Sequence, residues 1–338
     1  MLKNYISDGN SIIQIVCENK ILQILKEEFG DYYKFEYGET NADFEFFVYI
    51  DKLKYEKALR NFENIRNLRE NICIQDREGI LLLNKVKKEV VAIYYQLTDN
   101  NIQLIGELII SLFGIKLEQN GYFYLHSACV EKNGKGIAII GARGTGKTTL
   151  LNILLQNQFN FVCNSHLGIK NVNNDIIANG TPSRIGIRVE TLYKAINPIV
   201  RERIIEYSEI KKRFGENIEE NINEYGKKKF NIKMNEIKKI YNVDIKKETN
   251  VKMFLVPVYM PGSKHIKIKK IREEETLDIL LKNKRKGVYN TVKYLDNVFF
   301  TTTNNIKCNL KNINMYKIYQ NEGNTNELIE FVNKNINE

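Results

Sequence analysis

The chain has 338 residues, a formal net charge of +10, 43% hydrophobic and 10% aromatic residues. That length is too great for one small compact domain and that apolar content excludes a disordered chain, so a main domain with an accessory one is expected. The positive charge suits an anionic partner, and nucleotide, acidic peptide and nucleic acid all qualify.

Residues 1–98 mix candidate strands at 11–17, 44–50, 80–83 and 90–95 with a helix at 20–29. This reads as a small α+β domain, for which substrate recognition or docking is the functional expectation and a plain scaffold the alternative. Asp99, Asn100 and Asn101 then form a polar cluster able to cap a helix from Ile102, where the second domain, residues 99–338, is expected to begin. The apolar stretch 102–115 contains Glu107 and is shorter than the roughly 20 residues a membrane-spanning helix needs. It reads as a buried helix, with no membrane insertion.

Tyr122–Glu131 alternates, Lys132–Gly134 supplies a turn, and Gly136–Ile140 returns as a second strand. This β-hairpin leads into GARGTGKTT, Gly141–Thr149, which fits the phosphate-loop pattern G-x-x-x-x-G-K-[ST], and the helix-like run Leu150–Leu155 follows. Gly141, Gly144 and Gly146 permit backbone angles that let N–H groups converge on a β-phosphate at the positive end of that helix. Thr145 lies within the same nucleotide-binding loop. Lys147 is placed to bridge the β- and γ-phosphates and Thr148 to offer its hydroxyl to Mg²⁺, whereas Thr149 serves the helix start. Arg143 either reaches phosphate or points to solvent. No LSGGQ and no downstream N-K-x-D occurs, which turns the reading away from transporter ATPases and GTPases.

The run YLHSACVEKNGKGIAIIGARGTGKTTLLNILL resembles the core of the HPr kinase/phosphorylase family, which shares a fold with phosphoenolpyruvate carboxykinase. Leu125, His126, Val130 and Gly134 fall where that family's L-H-x-x-x-V strand and turn want them. NFVCNSHLGI, TPSRIGIRVETL and FLVPVYMPG are similar to later segments, so the resemblance spans roughly residues 102–280. It implies an α/β fold, a P-loop kinase domain with a mixed sheet beside the N-terminal α+β domain. It also implies ATP and Mg²⁺ as cofactors, and transfer of the γ-phosphate to a serine hydroxyl of a protein or peptide, including peptide natural-product precursors as in some relatives. The family's tendency to assemble is compatible with a homo-oligomer.

One departure bears on catalysis. Where relatives carry paired carboxylates, as base and metal ligand, this chain has Asn164 and Ser165 followed by His166. Asn164 and Ser165 can place oxygen on Mg²⁺ but carry no charge. His126 and His166 are the candidate bases, and Lys147 joins them as a catalytic residue. Asp175 is the nearest acid after the loop, although Asn173–Asp175 also reads as a turn. The competing functional reading is a nucleotide-binding regulator or assembly partner that kept the loop and lost the acids.

Later in the chain, KHIKIKKIR at 264–272 reads as a lysine-protected sheet edge, and Lys282, Lys284, Arg285 and Lys286 close a helix. Neither cluster interleaves aromatics, so nucleic-acid binding is not expected. Residues 201–229 read as a surface helix. Cys17, Cys73, Cys129, Cys163 and Cys308 form no C-x-x-C pair, and MLKNYISDGN lacks a signal core. Reduced thiols and a cytoplasmic location are expected.

Overall fold

The computed structural model describes residues 2–38, 41–62, 71–76, 79–260, 266–284, 295, 299, 313–320 and 325–337. The chain forms two compact units, Met1–Gly121 together with Lys286–Ile306, and Tyr122–Arg285 together with Lys307–Glu338.

The first unit contains β1 (Leu2–Ser7), β2 (Ile12–Cys17), α1 (Asn19–Phe29), β3 (Lys34–Tyr37), β4 (Phe44–Ile50), α2 (Lys52–Arg60), β5 (Asn71–Asp76), β6 (Gly79–Asn84), β7 (Glu89–Tyr94) and α3 (Asp99–Gln119). Its strands make one mixed seven-stranded sheet in the order β3-β1-β2-β4-β7-β6-β5. Helix α3 starts earlier than its polar cluster suggests, because Thr98 is the cap: its Oγ1 accepts from the Asn101 N–H at 3.2 Å. The apolar residues of α3 are buried almost all round, from Ile105 to Leu117. Phe113 packs on Tyr33 with ring centroids 4.4 Å apart, and a Cβ on Gly106 would stand 2.9 Å from Phe29 Cζ. Those contacts place α3 in the first unit, so the compact units divide after Gly121, later than the boundary at 98 read from the sequence.

The second unit contains β8 (Phe123–Leu125), β9 (Ser127–Lys132), β10 (Lys135–Ile140), α4 (Lys147–Gln156), β11 (Asn160–Cys163), β12 (Leu167–Val172), β13 (Asp175–Gly180) and β14 (Ile185–Arg188). There follow α5 (Val189–Lys194), α6 (Pro198–Tyr207), α7 (Ile210–Phe214), α8 (Ile222–Tyr225), β15 (Lys229–Ile232), α9 (Met234–Tyr241), β16 (Glu248–Tyr259), β17 (Lys267–Lys270), α10 (Glu273–Lys282), β18 (Met315–Gln320) and α11 (Asn326–Asn337). The single surface helix expected over 201–229 is thus a run of short helices.

The main sheet follows the path β11-β9-β10-β16-β13-β12-β8, with β18 joining β16 and β17 joining β18. It is mixed: β10 and β18 run parallel to β16, while β9 and β13 pair with their neighbours antiparallel. One residue, His126, separates β8 from β9, yet β8 ends the path and β9 lies next to its other end, so the sheet curls. A separate two-stranded ribbon pairs β14 with β15.

Among the described residues no helix is long and apolar enough to cross a membrane. Cys17, Cys73, Cys129 and Cys163 are buried free thiols, and Cys308 lies outside the described residues.

Candidate functional site

The loop is delivered by a hairpin whose turn chemistry is local. Asn133 and Gly134 both take positive φ, 53° and 78°, the pairing that a two-residue hairpin turn with right-handed strand twist requires. The ladder then runs in register from Lys135↔Lys132 to Ile140↔Ser127. Ser127 reinforces its end, donating Oγ–H to the Ile139 carbonyl at 3.0 Å. Beyond Ile140 the backbone leaves the sheet at Gly141.

From Gly141 to Gly146 the chain turns sharply into α4. Gly144 (φ 89°) and Gly146 (φ 102°) occupy the left-handed region, where a side chain would be strained. Nothing lies within 4 Å of a Cβ built on Gly144, so its position opens outward. Thr145 ties the turn by donating its hydroxyl to the Ala142 carbonyl at 3.0 Å. Behind the loop, Leu150–Leu155 are buried and hold the helix axis in the core. The first-turn N–H groups and the helix dipole therefore face the loop from a fixed position.

Lys147 is the first residue of α4, and its ammonium folds back on the loop. Nζ donates to the Gly141 carbonyl and to the Ala142 carbonyl at 3.1 Å, and among the described residues no carboxylate pairs with it. Burial first, and then the charge of Lys229, lower its pKa to about 8. The pKa of Lys229 is itself lowered, by burial and then by Arg143 and Arg188. Arg143, exposed in the loop, thus belongs to a group of cations with Lys147, Lys229 and Arg188. Arg188 has an exposed partner, Glu190, at 3.3 Å. A glycine turn at a helix start, beside cations of which Lys147, Lys229 and Arg143 have no carboxylate partner among the described residues, is an arrangement suited to an anion.

Thr148 and Thr149 are half-buried in the first turn of α4. A buried chain holds that turn from behind: the Asn152 side-chain amide donates to the Thr148 carbonyl at 2.6 Å, and the Tyr241 hydroxyl donates to Asn152 Oδ1. Sequence reasoning missed Tyr241, Lys229 and Arg188 as parts of this site. The one local signal was Asn152, a polar residue on the apolar side of the helix.

His126 is the residue after the last hairpin pair, Ser127↔Ile140, and so stands level with the start of the loop. Its Nδ1 lies 3.1 Å from the Ser165 carbonyl. A carbonyl only accepts, so Nδ1 carries the proton and Nε2 is the basic nitrogen of the neutral ring. Asn164 follows β11, which runs parallel to β10 with β9 between them, and so lies at the same sheet end as the loop. Its amide donates to the Arg184 carbonyl at 2.8 Å, and its N–H donates to Ser183 Oγ at 3.2 Å. His126, Asn164 and Ser165 therefore meet at one end of the sheet.

His166 follows Ser165 in the chain, but its ring is buried. It is 6% exposed and stacks on Tyr124, with centroids 6.0 Å apart and planes at 17°. Its carbonyl accepts from the Thr181 N–H at 3.0 Å. The pairing of β8 with β12 brings Tyr124 and His166 together.

Asp175 does not approach the loop. It follows the β12–β13 turn at Asn173 and Asn174 (φ 51° and 70°) and pairs with Lys252 at 2.8 Å, which lowers its pKa. Lys252 precedes Met253, the partner of Ile137, so Asp175 stands about 10 Å short of the end of β10. Ile266–Lys270 alternate half-buried isoleucine with exposed lysine along edge strand β17, as the sequence pattern implies. Lys264, His265, Arg285 and Lys286 lie outside the described residues.

No protein-family model matches the chain, and no curated protein matches it. Among solved structures, it is similar to the HPr(Ser) kinase/phosphatase from Coxiella burnetii at 15% sequence identity and a TM-score of 0.27, over 63% of this chain and 94% of that one. What fold and site define is a mixed α/β protein with a glycine-rich turn and a group of cations at the N-terminus of a buried helix.

Proposed function

We propose that the chain is an HPr-kinase-like phosphotransferase that uses ATP and Mg²⁺ to phosphorylate a hydroxyl, that of a serine, on a protein or peptide, a peptide natural-product precursor included. The observation that carries this reading is the Lys147 ammonium, half-buried at the start of α4 among other cations and turned onto loop carbonyls in place of a carboxylate. Such a charge costs stability until an anion arrives.

The loop fits a polyphosphate. Gly141, Gly144, Thr145, Gly146, Thr148 and Thr149 would hold it through backbone N–H groups, with Lys147 and Arg143 neutralising its charge. Thr148, Asn164 and Ser165 offer oxygen to Mg²⁺, which when bound supplies charge neutralisation at the phosphates. Asn164 retains Oδ1 for this purpose while its amide donates to Arg184. His126 would accept the hydroxyl proton at Nε2, its ring oriented by the bond from Nδ1 to Ser165. Lys147 would bind and orient the transferred group rather than carry protons. The N-terminal unit would recognise or dock the acceptor. The protein would act in the cytoplasm without inserting into a membrane, with no nucleic acid as partner and with a homo-oligomer as its working form.

A second reading is supported by Asn164: a neutral amide engaged with a carbonyl stands where a charged acid would serve a kinase. On that reading the chain senses nucleotide as a regulator or assembly partner. Incubation with γ-labelled ATP, Mg²⁺ and peptides encoded beside the gene separates the two. The kinase reading expects label on a peptide, abolished by Lys147→Ala and strongly reduced by His126→Gln. Tight ATP binding with no transfer to any acceptor would favour the sensor.

A further inference from the structure

Arg188 and Lys229 are directly opposed across the β14–β15 ribbon, and both are exposed. Like charges at such a position repel across about 4.5–5.5 Å between Cβ atoms, so the arrangement is unfavourable without an anion. Arg188 keeps Glu190 at 3.3 Å, but among the described residues no carboxylate pairs with Lys229.

The backbone fixes both cations. The ladder runs from Ile185↔Ile232 to Arg188↔Lys229, and N–H bonds from Val189 to the Lys228 carbonyl (3.1 Å) and from Glu190 to the Gly226 carbonyl (3.0 Å) prolong it. Ile185, Ile187, Phe230 and Ile232 are buried beneath it. Two further ties connect the neighbouring chain to the loop's own supports. Asn164 donates to the Arg184 carbonyl, and the Gln156 side chain at the end of α4 accepts from the Asn197 N–H at 2.7 Å. The ribbon thus holds its two cations beside Arg143 and Lys147.

We propose that Arg188 and Lys229 form a clamp for an anionic group, a carboxylate or a phosphate, carried by the acceptor peptide next to its reacting hydroxyl. This rests on reading Gly141–Thr149 as the nucleotide site. A polyphosphate already has the loop N–H groups, Lys147 and Arg143, so the opposed pair on the ribbon remains for a second anion. A peptide fits better than a nucleic acid strand, because two opposed cations hold one anionic group, whereas a strand needs cations along a track and aromatic faces for its bases.

The test uses the full chain with saturating ADP and fluorescence anisotropy of three labelled serine peptides, flanked by glutamates, by phosphoserines or by glutamines. At least one acidic peptide binds about tenfold or more tighter than the glutamine peptide, and that ratio falls below about threefold in Arg188→Gln/Lys229→Gln. Whichever acidic peptide binds tighter identifies the group. Arg188→Lys/Lys229→Arg retains the preference, which a merely structural role of these side chains would not predict. Equal binding of acidic and neutral peptides, a ratio unchanged in the double variant, or tighter ribbon-dependent binding of a single-stranded oligonucleotide overturns the clamp. Fluorescent ADP titrated into the same proteins keeps the two readings apart. A loss of ADP affinity as large as the peptide loss assigns the cations to nucleotide and overturns the clamp alone, whereas wild type that binds no ADP overturns the nucleotide reading.

Discussion

Replacing Lys147 by methionine should make the ligand-free protein more stable while weakening its response to nucleotide. In the folded chain the amine titrates at about 8, against an ordinary value of 10.5, because burial and Lys229 oppose its charge. At 1.36 kcal/mol per pH unit this sets a ceiling of roughly 3.4 kcal/mol on the cost of keeping it protonated, and exposure of part of the side chain cuts that to about 1 kcal/mol. The sign follows from linkage. The unfolded chain holds the proton up to a higher pH than the folded one, so the penalty is complete below about pH 8 and is relieved as pH rises toward 10.5. Lys147→Met should therefore gain about 1 kcal/mol at pH 7 and almost nothing near pH 10.5. Wild type at 100 times its dissociation constant for ATP should gain about 2.7 kcal/mol, and the variant, at least tenfold weaker in binding, about 1.4 kcal/mol or less. Urea unfolding at both pH values, with and without ATP, measures all of this. A variant less stable than wild type at pH 7, or one stabilised by ATP as much as wild type, would refute the reasoning.

Gly144→Ala meets no steric obstacle but must hold φ near 89°, so it should cost about 1 kcal/mol in urea unfolding and weaken nucleotide binding by calorimetry. Tyr241→Phe removes the donor to buried Asn152 Oδ1; a loss of about 1–3 kcal/mol is expected, with weaker ATP binding because Thr148 loses its support. His126→Gln should lower kcat by about 10²–10⁴ with the KM for ATP little changed, whereas His166→Gln should lower stability through lost packing on Tyr124 and leave kcat near wild type. Equal kcat losses in the two variants would contradict the assignment of Nε2 of His126 as the base.

The hairpin and the loop were legible because their determinants are local. Asn133-Gly134 dictates the turn, and the glycine spacing with Lys147 dictates the helix start. The strands expected at 11–17, 44–50, 80–83 and 90–95 match β2, β4, β6 and β7 to within a residue at each end, because short apolar runs rich in isoleucine, leucine, valine and phenylalanine form them. What sequence could not give was pairing across long separations. Lys229 reaches the loop only because β15 pairs with β14 after four intervening helices, and Tyr241 meets Asn152 across 89 residues. The two histidines show the same limit: nothing local distinguishes them, and only the β8–β12 pairing buries His166 while the β9–β10 register leaves His126 at the loop. Helix α3 was legible as a buried helix but not as part of the first unit, because its partners Tyr33 and Phe29 lie far upstream.

The central claim is that Gly141–Thr149 binds the phosphates of a nucleotide through Lys147. Calorimetric titration of ATP with Mg²⁺ into wild type and Lys147→Ala tests it most directly. One site per chain is expected in wild type, weakened about tenfold or more in the variant by loss of a charge-assisted contact. No binding to wild type, or equal affinity in both proteins, would contradict it.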